Sequence, residues 1–186
     1  MCPTILFEEH FSNNHRQWVE SANDARRLAV TDGHYVIESK VKDAGWYTYT
    51  TVPVAITQHQ NFKIACKTSK IEGVNDFLYG LIWGLKDQDN FYYFAITGDG
   101  RFAVIKKQEK QFMSLIPLSL PNSVNKFDAV NTLAMEKEGE QMTFYINDIF
   151  VGQAPFEPLF GNRIGFIVYN KQTIAFDDLV VTVQIK

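Results

Sequence analysis

The chain has 186 residues, with 18 Lys and Arg against 21 Asp and Glu, a net charge of −3 and a pI near 5.8. That balance offers no basic excess to neutralise phosphates, which argues against general DNA or RNA binding. At 46% hydrophobic and 21% charged residues it reads as one folded domain spanning 1–186, rather than a disordered or coiled-coil chain. No apolar run reaches the ~20 residues that a membrane-spanning helix needs.

The apolar residues are of the strand-forming kind. Val, Ile and Phe number 15 each, with 12 Thr, 8 Tyr and 3 Trp, against 23 Ala and Leu together. Branched and aromatic side chains suit a pleated, half-buried surface, so the composition predicts an all-β protein.

In chain order, Thr4–Glu8 forms a first strand. Asn13–Leu28 lacks helical periodicity and reads as loop with a single turn. Leu28–Thr31 and His34–Lys40 flank Asp32-Gly33, a hairpin signal. Gly45–Val54 follows, stopped by Pro53. Across 61–71, Phe62, Ile64, Cys66 and Thr68 alternate with Lys63, Ala65, Lys67 and Ser69. Asp76–Lys86 leads through Asp87-Gln88-Asp89-Asn90 into Phe91–Thr97, and Gly98-Asp99-Gly100 turns the chain into Arg101–Lys107. Phe112–Ile116 is short and ends at Pro117, and Ser119–Ala129 is loop. A meander of Thr132–Lys137, Met142–Ile146 and Phe150–Ala154 comes next, then Arg163–Tyr169 and Ile174–Ile185. The total is about thirteen strands in two antiparallel sheets of about six each.

Alternation assigns the faces. Met142, Phe144 and Ile146 point one way, with Thr143, Tyr145 and Asn147 opposite. Ile164, Phe166 and Val168 oppose Gly165, Ile167 and Tyr169, and Tyr92, Phe94 and Ile96 oppose Phe91, Tyr93, Ala95 and Thr97. One face is core, and the other repeatedly carries a tyrosine.

Several blocks resemble one family. Gly80-Leu81-Ile82-Trp83-Gly84, Asp87-Gln88-Asp89-Asn90-Phe91-Tyr92-Tyr93-Phe94, Gly98-Asp99-Gly100 and Lys106 are similar to a block of the concanavalin A-like jelly rolls, in particular laminin-G-like and 3-keto-disaccharide-hydrolase-like members. Leu133-Ala134-Met135-Glu136 with Met142-Thr143-Phe144-Tyr145-Ile146-Asn147 and Val151-Gly152 resembles the family's hairpins. Arg163-Ile164-Gly165-Phe166 and Ala175-Phe176-Asp177-Asp178-Leu179-Val180-Val181 resemble its closing block. Phe7-Glu8-Glu9-His10-Phe11-Ser12-Asn13-Asn14 resembles its opening. The resemblance implies a two-sheet antiparallel β-sandwich of the concanavalin A-like kind, with a concave sheet face able to hold a glycan.

Aromatic rings stack on the apolar faces of sugars while polar groups bond the hydroxyls. Tyr47, Tyr49, Tyr93, Tyr145 and Tyr169 are the candidates for the first role, and Lys107 and Asn147 for the second. The alternative is an ordinary solvent-facing sheet, or tyrosines packed under a loop. Relatives often place Arg where this chain has Gly84 and Ala95. The departure implies a less polar groove, suited also to an apolar ligand or a protein segment. The family resemblance further implies a structural calcium site at Glu8 and Asp177, with Asp178 in reserve. Solvated turn carboxylates are the alternative.

No catalytic constellation stands out. The run Glu136-Lys137-Glu138-Gly139-Glu140 turns at Gly139, which scatters the paired carboxylates that a glucanase needs. Gln58-His59-Gln60 has the wrong spacing for a lyase strand. Asp87-Gln88-Asp89-Asn90 lacks the Gly and Glu of a calcium-binding EF loop and reads as a β-turn. His10 and His15 bind a metal only if their loop folds back on itself. Cys2 and Cys66 are expected as two idle thiols, with a disulfide the alternative.

The opening Met1-Cys2-Pro3-Thr4 has neither the basic region nor the apolar stretch of a signal peptide. The expected location is cytoplasmic, or extracellular if a leader has been removed. Three functions follow: a non-catalytic glycan-recognition module, a protein-interaction or assembly domain of a cytoplasmic system, and a glycosidase of the 3-keto-disaccharide type.

Overall fold

A computed structural model describes residues 3–49, 56 and 61–184. Every regular element among them is a strand. In chain order these are β1 (Thr4–Glu9), β2 (Ser21–Ala22), β3 (Arg26–Thr31), β4 (His34–Ser39), β5 (Gly45–Tyr49), β6 (Phe62–Gly73), β7 (Tyr79–Asp87) and β8 (Asn90–Ile96). There follow β9 (Phe102–Gln108), β10 (Gln111–Ser119), β11 (Asn131–Glu138), β12 (Gln141–Ile146), β13 (Ile149–Pro155), β14 (Arg163–Tyr169) and β15 (Gln172–Val183).

They form two antiparallel sheets packed as a β-sandwich. One has nine strands in the order β13-β12-β11-β6-β15-β4-β3-β2, with β1 also pairing β15. The other has six, in the order β10-β9-β8-β7-β14-β5. Among the described residues the strands number fifteen rather than about thirteen, divided nine and six rather than about six each.

Most of the difference lies in two segments. Within 13–28 the chain adds β2 and starts β3 at Arg26, because Ser21 and Ala22 pair with Leu28 and Arg27. Local periodicity cannot reveal a two-residue strand made by a partner. The tenth strand runs through Pro117 to Ser119 instead of ending before the proline. That is allowed because β10 is an edge, where a missing N–H costs no ladder bond. The 45–54 segment is strand over Gly45–Tyr49, and its remainder lies outside the described residues.

Turn chemistry accounts for the hairpins. Asp32 and Gly33 sit at φ 52° and 74°, and Asn147 and Asp148 at 53° and 63°. Positive φ at both central residues is the turn whose twist matches the flanking strands, and Asn, Asp and Gly tolerate it best. Glu109 and Lys110 adopt the same conformation, at 51° and 70°, with no such residue to announce it.

The inner faces meet in one core. Along β6 the buried residues are Phe62, Ile64, Cys66, Thr68 and Lys70, as alternation requires. Phe166 of β14 stacks on Phe176 of β15 with centroids 4.2 Å apart, joining the two sheets. The irregular 10–20 segment contributes Phe11 and Trp18, both buried and in contact with Tyr35 and Phe166. Glu9 anchors it: one carboxylate oxygen accepts the Phe11 N–H and the other the Trp18 indole N–H. Cys66 is free and buried, and burial pushes its thiol well up. Cys2 lies outside the described residues.

Candidate functional site: the outer face of the six-stranded sheet

Residues of the six-stranded sheet that turn away from the core form a second apolar cluster. Ile82, Leu85, Phe91, Tyr93, Ala95 and Ile167 are buried there, with Tyr47, Tyr49, Leu78, Ile105 and Tyr169 packed against them. Pairing sets them in cross-strand rows: Tyr49, Gly165, Ile82, Tyr93 and Ile105 lie side by side, as do Tyr47, Ile167, Gly80, Ala95 and Ala103. Gly165 in the first row and Gly80 and Ala95 in the second leave room above the sheet beside the Tyr47, Tyr49 and Tyr93 rings.

The rings make a continuous ladder. Tyr49 stacks on Tyr47 (6.2 Å), Tyr47 on Phe91 (5.8 Å), Phe91 tilts against Tyr93 (6.0 Å), and Tyr93 against Tyr169 (6.0 Å). Tyr47 stands on β5 and Phe91 on β8, three strand spacings or roughly 14 Å apart in a flat sheet. Their 5.8 Å ring separation means that the side chains converge over β14 and β7. Arg163 lies 5.1 Å over the Tyr49 ring at one end. Lys107 lies 5.7 Å over Phe91 and 5.4 Å over Phe112. Its ammonium also donates to the Gln88 carbonyl at 2.7 Å and pairs with Asp89 at 3.2 Å. The charge is thus largely spent within the protein.

Beside the ladder runs a groove of about 520 Å³, within the range of small-molecule sites. Tyr93 and Tyr169 form one wall, Ala103 and Ile105 the floor, and Phe112 and Leu118 of β10 the other wall. Asp76, Thr97 and Ser114 are its polar lining. Burial pushes the Tyr93 and Tyr169 phenols well above their ordinary value; the neighbouring Tyr169 hydroxyl raises Tyr93 further, while the Tyr93 hydroxyl pulls Tyr169 partly back. Both are neutral hydroxyls at any physiological pH.

Four of the five candidate tyrosines therefore share one face, and Lys107 joins them. Tyr145 and Asn147 do not. Both belong to β12 or its turn, in the other sheet. Tyr145 meets Phe150 edge-on at 6.4 Å, with Lys63 6.0 Å over its ring. The Asn147 side chain is consumed internally, accepting the Thr132 N–H at 2.8 Å and donating to Ser123 O and Asn131 Oδ1. It pins a turn rather than reaching a ligand. Phe91 and Phe112 went unnoticed as site residues; their signal was position, Phe91 in the same alternating set as Tyr93.

Gly84 and Ala95 have structural reasons not to be arginine. Gly84 sits at φ +60° where the β7–β8 register slips, and an added Cβ would lie 3.1 Å from the Tyr92 ring and 3.2 Å from Leu159. Ala95 is completely buried in the floor, between Gly80 and Ala103.

The expected calcium ligands fare differently. A bulge in β15 between Asp177 and Val180, with Asp178 at φ 47°, turns both carboxylates toward the end of β1. There His10, Asp177 and Asp178 bring one ligand atom each within 4.8 Å of the others, and Glu8 is not of this group. Asp178 holds His10 Nδ1 at 2.7 Å and Lys67 Nζ at 2.7 Å, which keep its carboxyl below the usual range. Asp177 accepts the Asp178 N–H at 2.7 Å. The Glu8 carboxylate lies 3.8 Å from His10 Nε2. Calcium takes six to eight hard oxygens. A set of one ring nitrogen and two carboxylates, one of them already neutralised by an ammonium, does not fit it. His15 is no part of the cluster, and Gln58-His59-Gln60 lies outside the described residues. Glu136 pairs with Lys63 at 2.8 Å, and Gly139 turns the chain at φ 58°. Asp87 accepts the Asp89 N–H at 2.9 Å and the Asn90 amide at 2.8 Å, closing the β-turn.

No family model and no curated protein matches the chain. Solved structures do. The chain superposes on the carbohydrate-binding module CBM66 from Bacillus subtilis with a TM-score of 0.55 at 17% identity, over 95% of this chain and 92% of that one. A Bacillus subtilis protein of unknown function with a galectin-like fold gives a TM-score of 0.67 at 13% identity, over 97% of both chains. A xylan β-1,4-xylosidase from Bacillus halodurans C-125 gives 0.64 at 13% identity, over 94% of this chain but 38% of that one. At such identities the likeness defines the fold. It is the two-sheet antiparallel β-sandwich, the architecture expected from the sequence blocks. No helix among the described residues is long and apolar enough to cross a membrane.

Proposed function

We propose that the protein is a non-catalytic recognition module that binds a neutral carbohydrate in the groove beside Tyr93 and Tyr169. The observation that carries this reading is the convergence of an aromatic wall, a floor of small and aliphatic side chains and a few hydroxyl and carboxyl groups on one sheet face. Rings take the apolar face of a sugar, and Thr97, Ser114 and Asp76 are placed to bond its hydroxyls. Neutrality follows from the lining. Its one carboxylate is Asp76. The nearby cations are paired, Lys107 with Asp89 and Arg101, which also feels the Asp76 charge, with Asp99. Among the described residues no lining cation is left to compensate an anionic sugar. The likeness to the carbohydrate-binding module CBM66 supports the same reading. A glycosidase needs two carboxyl groups flanking one bond, and the groove lining supplies one.

The test is calorimetric binding of neutral and uronate-containing oligosaccharides, screened first on a glycan array. Saturable binding to a neutral class is expected, weakened at least about tenfold by Phe112→Ala, which truncates an exposed wall residue without touching the core. Tyr169→Ala should abolish it, and Tyr145→Ala should leave it unchanged. Chelator should have no effect; loss of binding with chelator would restore Glu8 and Asp177 as metal ligands. An empty array, or binding that ignores both groove variants, sinks the proposal.

A further inference from the structure

One lateral edge of the sandwich is apolar in both sheets. Strand β10 ends the six-stranded sheet and β13 ends the nine-stranded sheet. They lie on the same side, for a Cβ built on Gly152 of β13 would fall 2.8 Å from Ile116 of β10. Among the described residues each strand has a single partner, β9 or β12, and an outer ladder that no other strand pairs. Natural edges of this sort are guarded by charges, above all lysine, by proline or by bulges. The second half of β10 is guarded, by Pro117 and by register slips after Ser114 and Ile116. The first half is not, and no residue from Gln111 to Ser119 carries a charge.

The exposed large apolar side chains concentrate here. Phe112, Met113 and Leu118 of β10, Leu120 just beyond it, and Ile149 and Phe150 of β13 are 38–66% exposed. At roughly 100 Å² of exposed surface each, these six offer about 600 Å², most of the ~800 Å² that each partner contributes to a standard interface.

We propose that this edge is a self-association surface, on which a second copy of the chain docks about a two-fold axis with β10 running antiparallel to the partner's β10. Three features favour a second copy. Two-fold pairing places each residue near its own counterpart, so the patch must tolerate itself, and an uncharged strand does. Antiparallel pairing of β10 with itself continues the hydrogen-bonding order of the six-stranded sheet. The apolar area present on both sheets approaches what a stable dimer needs.

Sedimentation equilibrium of the wild-type chain between about 1 and 100 µM tests the proposal over the affinity range such an area supports. A monomer–dimer equilibrium is expected. Met113→Lys and Ile149→Lys, one on each sheet, enter a two-fold interface twice and should each weaken dimerisation at least about tenfold. Both sites are exposed, so near-UV circular dichroism and the thermal midpoint, measured at concentrations where the wild type is monomeric, should stay unchanged. A wild-type chain that is monomeric throughout overturns the proposal. So does a dimer that neither variant weakens, including one displaced only by an unrelated extended peptide. Neither variant residue lines the groove. Phe112 and Leu118 belong to both surfaces, so sedimentation is run without sugar. Glycan binding by the two variants is measured apart from it, which keeps the two outcomes distinguishable.

Discussion

The two sheets share one core but turn unlike faces outward. On the nine-stranded sheet, Lys63 pairs with Glu136 at 2.8 Å and Lys67 with Asp178 at 2.7 Å, all partly exposed, with Tyr145 half-buried among them. On the six-stranded sheet the corresponding positions are Ile82, Phe91, Tyr93, Ala95 and Ile167, each at most 3% exposed. Among the described residues no second layer of strands covers them, and rings from β5 and β8 pack over them. The difference shows that turning away from the core and facing solvent are separate properties. Where a sheet face closes over itself, its outer side chains are energetically core, and what stays open beside them is a groove.

The largest expected effect follows from that distinction. Phe91→Ala removes a buried ring from the middle of the ladder and should cost about 3–5 kcal/mol, as for a core aromatic. Tyr145→Ala, on the other outer face, should cost roughly 1 kcal/mol or less. Urea denaturation of both variants decides it. Equal costs would mean that the two outer faces are alike after all.

Alkaline pH separates the buried rings collectively. Burial raises the phenols of Tyr79, Tyr92, Tyr93 and Tyr169, and pushes Tyr35 up to about 12. In the unfolded chain they ionise near their ordinary 10. Their contribution to stability is therefore fully present below pH 10 and is lost as the pH rises through the raised folded values. The thermal midpoint should fall from pH 10 upward, with phenolate absorbance appearing late and together with unfolding. Tyr169→Phe should shallow that fall. Smooth ionisation of every tyrosine near pH 10 in the folded protein would contradict the buried ladder.

The sequence made much of this face legible and left a definite part hidden. Alternation separated Tyr93 from Phe94 and Tyr169 from Val168, because period two is a local property of a strand. It could not separate Tyr93 from Tyr145, since both oppose the core and only strand order assigns them to different sheets. That order is made by pairings such as β6 with β15, more than a hundred residues apart. Asp32-Gly33 revealed its hairpin through turn chemistry, whereas Glu109-Lys110 adopts the same geometry without the residues that favour it. The role of Glu9, anchoring Phe11 and Trp18, was hidden because its partners lie in the irregular segment beyond β1, whose course has no periodic signature.

A backbone effect of intermediate size tests the floor of the six-stranded sheet. Gly84→Ala forces a side chain into the left-handed region at φ +60° and brings a Cβ to 3.1 Å from Tyr92. The expected cost is about 1–2 kcal/mol. Gly33→Ala, also left-handed at φ +74° but with nothing within 4 Å of the added atom, should cost about 1 kcal/mol. The difference between the two measures the contact alone.

The smallest effect should come from the polar face. A double-mutant cycle on Lys63→Ala and Glu136→Ala isolates an ion pair whose side chains are 43% and 38% exposed. Solvent screening and the entropy of fixing two long side chains leave such pairs about 0.2–1 kcal/mol. Half-molar salt should reduce the coupling further by shortening the Debye length, while leaving the cost of Phe91→Ala unreduced, because ring burial carries no net charge to screen. If salt instead weakened both, the ladder would depend on the charges of Arg163, over Tyr49 at one end, and Lys107, over Phe91 in the middle. A coupling near zero on the polar face together with a salt-insensitive loss at Phe91 would place nearly all the stability of the two outer faces in one of them, the face that also carries the groove.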